Sequence, residues 1–259
     1  MSILRAIICA AVAAVLVAPD LSAQTHDAAA GTIIVKGLGV RGKDRTTKPL
    51  TRKRFYLFAG GLTENKPLLD RLKTLEINSR DCFYVGLKAS PCFLAWLRAE
   101  NCETPFCRVI KRDDIAGVPE FEAAYAKGLP LYGRKPDVAL GWILNNMSDE
   151  LVSGYYRHQK EVLNRVLVDT KPSQSSMSTS TAAEATFVGL AAGDKSRKYL
   201  ISNVLPVEID DKSYVWACEA DVSRGKTTVL PLSLDPKRKN CTLIVNELKA
   251  CTSETCKKS

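Results

Sequence analysis

The chain of 259 residues is 46% apolar, 25% charged and 7% aromatic, and its 37 Lys and Arg against 28 Asp and Glu leave a net charge of +9. That composition excludes a wholly disordered chain, a collagen and a coiled coil, while the length is ample for a buried core. With only two His, a catalytic centre built on a positioned imidazole has little to draw on.

In chain order, Arg5 precedes an apolar run, Ile7 to Ala18, which Pro19 breaks before the small residues Ser22 and Ala23. Basic, apolar and small segments in that order mark residues 1–23 as a signal peptide and place the start of the mature chain at Gln24. The run falls short of the roughly 18–20 apolar residues that span a bilayer, and no later stretch is apolar enough, so no transmembrane segment is expected. The protein is read as exported, periplasmic or extracellular.

The segment 24–62 carries two strand-like runs, Thr32 to Lys36 and Arg54 to Phe58, joined by a polar loop. Helical spacing begins near 63. Leu68, Leu69, Leu72 and Leu75 form one stripe, and Ser90-Pro91, Pro119 and Pro136 each open a helix. Ser148 caps the longest helix, with Leu151, Tyr155, Val162, Leu163, Val166 and Leu167 as its buried stripe. The block 63–168 is therefore helical. Residues 169–186, rich in Ser, Thr and Ala without periodicity, read as a linker. The remainder, 187–259, is β, with strands expected at 186–190, 199–207, 214–222, 227–234 and 242–248. Alternation places Tyr214, Trp216 and Cys218 on one face.

Two early and five late strands make seven. The fold class expected is α+β: a seven-stranded antiparallel β-sandwich, residues 31–62 packed with 187–259, with a disulfide-braced helical block inserted or appended. Eight cysteines follow the signal peptide: Cys82, Cys92, Cys102 and Cys107, then Cys218, Cys241, Cys251 and Cys256. In an oxidising compartment they are read as disulfides. The expected pairs are Cys82–Cys92, Cys102–Cys107, Cys218–Cys241 and Cys251–Cys256. The alternative is a four-thiolate zinc site built on the two Cys-x4-Cys pairs, which export disfavours.

The run Gly31 to Val35, a basic loop, and the run Lys53 to Phe58 together resemble the opening strands of carboxypeptidase-regulatory-like modules. Those modules are seven-stranded, transthyretin-type sandwiches that serve as adaptor or accessory domains. The resemblance covers residues 31–61 and implies such a sandwich and such a role. Lys48 to Thr51 stands where the family has a turn of small residues, and the helical block has no counterpart in the family.

Gly37, Gly39 and Gly42 form a G-x-G-x-x-G pattern after a strand, but no apolar helical stripe follows and no acidic residue stands about twenty positions on. No nucleotide cofactor is expected, nor any other cofactor or metal. Gly225-Lys226-Thr227 lacks the first P-loop glycine, Ala220 standing there, and reads as a hairpin turn. His158 reads as a satisfied or solvated helix residue.

Charge is strongly uneven. Residues 36–54 hold eight Lys and Arg against Asp44. Arg41, Lys43, Arg45, Lys48, Arg52, Lys53 and Arg54 are the candidate contacts to an anionic partner, an envelope component or an acidic protein. The function expected is a non-enzymatic binding or accessory protein of the cell envelope. The alternative is an exported carbohydrate-active hydrolase using a carboxylate pair of the helical block, with Glu100 and Glu103 the residues to test.

Overall fold

The computed structural model describes residues 30–37, 40–41, 47–76, 78–179, 182–192, 196–209, 212–234, 239–248, 251 and 256. The expected signal peptide lies outside the described residues, as do Lys43 and Arg45.

The chain enters through β1 (Gly31–Lys36), the short strands β2 (Val40–Arg41) and β3 (Thr47–Lys48), and β4 (Arg54–Ala59). Helices follow: α1 (Lys66–Lys73), α2 (Arg80–Gly86), α3 (Pro91–Ala99), α4 (Arg112–Ile115), α5 (Pro119–Leu131), α6 (Pro136–Gly141), α7 (Ile143–Asn146) and α8 (Tyr155–Val166). The remaining strands are β5 (Gln174–Met177), β6 (Glu184–Leu190), β7 (Arg197–Ser202), β8 (Val207–Ile209), β9 (Lys212–Val222), β10 (Thr227–Pro231) and β11 (Cys241–Glu247).

The strands form two main sheets. One has the order β10-β1-β6, and the other runs β11-β9-β7-β4-β5 with β8 paired to the start of β9. The two early strands therefore pair with late ones. β1 lies between β6 and β10, and β4 lies between β5 and β7. The architecture is mixed α+β, but it differs from seven antiparallel strands in two respects. β1 and β10 run parallel, with Ile34 opposite Val229. The two sheets also hold three and six strands, and β2 pairs with β3 beside them.

Strand β5 lies within the expected linker. Its sequence, Gln-Ser-Ser-Met, has no apolar alternation, yet its backbone pairs with β4, because ladder hydrogen bonds need no particular side chain. The expected strand 199–207 divides for an equally local reason. Val204 takes φ 55° and Pro206 follows. Asn203 then substitutes for strand pairing, its Oδ1 accepting from Trp216 N at 2.8 Å and its Nδ2 donating to Tyr214 O at 3.0 Å. The turn Ser223–Lys226 is a corner and not a hairpin. Lys226 N donates to Ser223 O, and the chain then leaves the six-stranded sheet for the three-stranded one.

The centre of the six-stranded sheet is buried on both faces, which is why β4 is nearly continuous in apolar residues. Phe55 and Leu57 face the three-stranded sheet across a shared core with Ile33, Phe187 and Trp216. Tyr56 and Phe58 face α1 and α8, packing with Leu68, Leu72 and Val166. A third core, around Tyr84, Phe93, Trp96, Phe121 and Tyr155, belongs to the helices. Ser90 caps α3 by accepting from Phe93 N at 3.1 Å, with Pro91 as its first residue. A π-turn, Glu150–Gly154, runs directly into α8. α8 joins the two bodies, since Tyr155 lies in the helical core and Val166 under the sheet.

All eight expected cysteines are disulfide-bonded, so no thiolate remains for a zinc site. Cys102–Cys107 and Cys218–Cys241 form as expected, the latter directly across β9 and β11. Cys82 and Cys92 do not pair with each other, nor do Cys251 and Cys256. Cys82 bonds Cys251 and Cys92 bonds Cys256, with Cα separations of 5.3 and 4.6 Å. The reason is spatial. Cys82 on α2 and Cys92 on α3 meet Cys251 and Cys256, so both bridges tie residues after β11 to the helical body.

Candidate functional site

A groove of about 470 Å³ lies between the approach to β4 and the outer face of α8. One wall is the turn Thr51–Arg54. Arg52 sits there at φ 57°. Backbone bonds from Arg52 N to Ser178 O (3.1 Å) and from Ser178 N to Lys53 O (2.8 Å) hold the turn in place. The other wall is Tyr156, Lys160 and Leu163, one stripe of α8 at helical spacing. The Cys102–Cys107 disulfide closes a six-residue loop that carries Glu103 and Phe106 to the third side.

Four cations and one carboxylate line the groove. Glu103 is spoken for: Lys53 Nζ donates to its Oε1 and Gln159 Nε2 to its Oε2, the latter at 3.2 Å. Burial works to raise the Glu103 carboxyl, but the Lys53 ammonium and these hydrogen bonds outweigh it and hold the group below its ordinary value. Arg52, Arg54 and Lys160 have no carboxylate partner among the described residues. Arg52 Nη1 donates to Cys107 O at 2.8 Å and Arg54 Nη1 reaches Ser175 Oγ at 3.4 Å. The guanidinium charges are thus oriented without being neutralised.

Behind the Lys53–Glu103 pair is a small pocket of about 30 Å³ reaching Arg80, Tyr155 and Glu208. Burial raises the Glu208 carboxyl, although Arg80 N donates to it at 2.6 Å. Burial also raises the Tyr155 hydroxyl, with the Glu208 and Glu103 charges adding to the effect. This cavity is too small for a sugar ring, and its polar groups tie the helical body to the sheet.

Of the seven cations expected to form the site, Arg52, Lys53 and Arg54 come together in the groove. Arg41 and Lys48 lie on the separate β2–β3 hairpin, and Lys43 and Arg45 lie outside the described residues. Lys160 was not anticipated. Its only sequence signal is its place beside Tyr156 and Leu163, which shows a helix face but not what that face meets. Gly37, the described glycine of the G-x-G-x-x-G pattern, serves packing, for a Cβ there would come within 2.7 Å of Leu50 Cβ.

His158, expected to be satisfied or solvated, is half-buried and neither: it stacks on Phe83 at 5.6 Å, and its Nε2 is buried with no hydrogen-bond partner among the described residues. The cause is that α8 is covered on two sides, which narrows its wet face. The carboxylates considered for hydrolysis are engaged elsewhere. Glu100 pairs with Arg108 at 2.6 Å, which holds it below its ordinary value, and Glu103 is bound by Lys53. Asp114 accepts from Arg108, Trp96 Nε1 and Lys111 N.

The Lys53–Glu103 pair yields a signed prediction. In the wild type the lowered Glu103 carboxyl contributes stability that is present above the carboxylate range and lost as pH falls through it. In Lys53→Met the cost of burying the Glu103 charge is no longer opposed by Lys53, so the variant is destabilised as pH rises. The deficit, about 1–3 kcal/mol at neutral pH, should shrink toward pH 4, and Lys53→Met/Glu103→Gln should recover most of it. Urea titrations at both pH values check this. An equal deficit at each would show that the charge plays no part.

The fold is thus a three-layer body of sheet, sheet and helices with a disulfide-tied helical lobe, and the site is a cationic groove where the two meet. Comparison with protein-family models, with curated proteins and with solved structures finds no match for this chain. Among the described residues no helix is long and apolar enough to cross a membrane, and no group of three or more His, Cys, Asp or Glu could hold a metal ion.

Proposed function

We propose that the chain is an exported, non-enzymatic binding or accessory protein of the cell envelope that takes an anionic partner into the groove beside β4. The observation that carries this is the set Arg52, Arg54 and Lys160, three cations with no carboxylate partner among the described residues, around an opening of about 470 Å³. That volume suits a small ligand or one segment of a longer chain. Tyr56, Tyr156 and Leu163 supply apolar surface beside the charges, so a ligand carrying carboxylate or phosphate groups on a partly apolar frame is the best fit. Four disulfides suit an oxidising compartment, as does the basic–apolar–small order of residues 1–23. Two stacked sheets and the likeness of residues 31–61 to carboxypeptidase-regulatory-like modules support an accessory role.

The test is a binding titration with two probes, an oligogalacturonide and an acidic peptide, at low and high salt. At least one should bind, more weakly in high salt, and R52E/R54E/K160E should lower its affinity about a hundredfold, at about 1 kcal/mol per contact. Unchanged affinity in the triple variant, with the fold intact by circular dichroism, would remove the groove from the proposal.

A further inference from the structure

On the helical body, built from none of the groove residues, the turn between α5 and α6 is unusually open. From Leu131 to Val138 every residue but Tyr132 is exposed. A Cβ built at Gly133 or Gly141 would meet open space. The turn is nevertheless fixed, with Arg134 N donating to Leu129 O at 2.7 Å and Lys135 N to Tyr132 O at 3.2 Å. Ala139 and Ile143 anchor the next helices inward.

What this turn exposes is apolar and aromatic. Leu131 is 64% and Trp142 51% exposed. Val138 lies one helical turn before Trp142, whose N–H bonds its carbonyl, and Tyr132 stacks on the Trp142 ring at 6.4 Å. Around these side chains stand Lys127, Arg134 and Lys135, none paired with a carboxylate among the described residues. The one carboxylate in the turn, Asp137, is matched by Arg112 at 3.1 Å.

The geometry points to an anionic lipid surface as the partner of the 127–142 turn. Amphipathic Trp and Tyr rings with Leu and Val suit the boundary between headgroups and acyl chains, and lysine and arginine beside them meet anionic headgroups. A lipid layer also closes around an open, convex turn, whereas a folded protein partner would need a complementary recess. The net charge of +9 favours the same encounter. This contact would hold the body at a membrane while the groove engages a separate ligand.

Tryptophan emission tests the contact on the full chain, because only Trp142 is exposed. Trp96 and Trp216 are buried, and the apolar run 7–18 has no Trp. Adding vesicles containing phosphatidylglycerol should shift the emission to shorter wavelength and reduce acrylamide quenching, with a much smaller effect from pure phosphatidylcholine. The shift should disappear in W142F. K127E/R134E/K135E should weaken the response about a hundredfold, at about 1 kcal/mol per cation, while R52E/R54E/K160E leaves it intact. Emission unchanged by vesicles, even if the protein sediments with them, overturns the proposal. So does a response abolished by the groove variant but not by the turn variant.

Discussion

Replacing Cys251 and Cys256 together by serine should cost more stability than the two single losses add up to. Cys82–Cys251 closes a loop of 169 residues, which the chain-entropy relation values at about 5 kcal/mol. Once it is closed, Cys92–Cys256 adds a small ring: ten residues from 82 to 92 and five from 251 to 256. At about 15 residues this ring is worth about 3 kcal/mol. Either bridge alone holds the large loop shut, so C256S or C251S should each lose only about 3 kcal/mol. The double variant loses both terms, about 8 kcal/mol, against a typical total stability of about 5–15 kcal/mol. Urea midpoints of the singles and the double, with the m-value compared, measure the difference. Local pairing of Cys251 with Cys256 would give a different pattern. Singles and double would then cost the same, about 2 kcal/mol for so short a loop.

Trp216→Ala should be the most costly single substitution outside the disulfides. Trp216 is 1% exposed in the core shared by both sheets, lies parallel to Tyr214 at 6.0 Å, and donates from Nε1 to Ser233 O at 2.8 Å. Removing it takes away apolar contact with both sheets and leaves a cavity between two layers that cannot close freely. The expected loss is about 3–5 kcal/mol, a fall in melting temperature of roughly 10 °C or more. Trp216→Phe should retain part of this by keeping aromatic area while losing the N–H donor. Trp142→Ala, on the open turn, should leave the melting temperature nearly unchanged. Equal effects at the two tryptophans would contradict the burial that separates them.

These two cases divide what is readable in the chain from what is not. Alternation in 214–218 placed Trp216 inward beside Cys218, and the structure agrees. The reason is that a strand residue's face depends only on its neighbours two positions away. Ser90-Pro91 marked the start of α3 for a similarly local reason, a hydroxyl meeting an N–H three residues on. The cysteine pairs were legible only where the bridge was local or crossed adjacent strands. Cys82 on α2 and Cys251 are linked across 169 residues of chain, and no spacing encodes that.

The site followed the same division. Arg52, Lys53 and Arg54 stood out as a charge run, but their roles differ. Lys53 is paired with Glu103, whereas Arg52 and Arg54 have no carboxylate partner among the described residues. Lys160 joins them from more than a hundred residues away, and His158, two positions earlier, turns inward to stack on Phe83.

By itself the sequence determined the apolar run of β4, the inward face of 214–218 in β9, the proline-marked starts of α3, α5 and α6, and the uneven charge. Only the tertiary structure decided which strands share a sheet, that β1 and β10 run parallel, which thiols meet, and which cations remain uncompensated. The first group arises from interactions within a few residues, which the order of side chains specifies directly. The second depends on which distant backbone edges, thiols and charges come within a few ångströms once the layers pack.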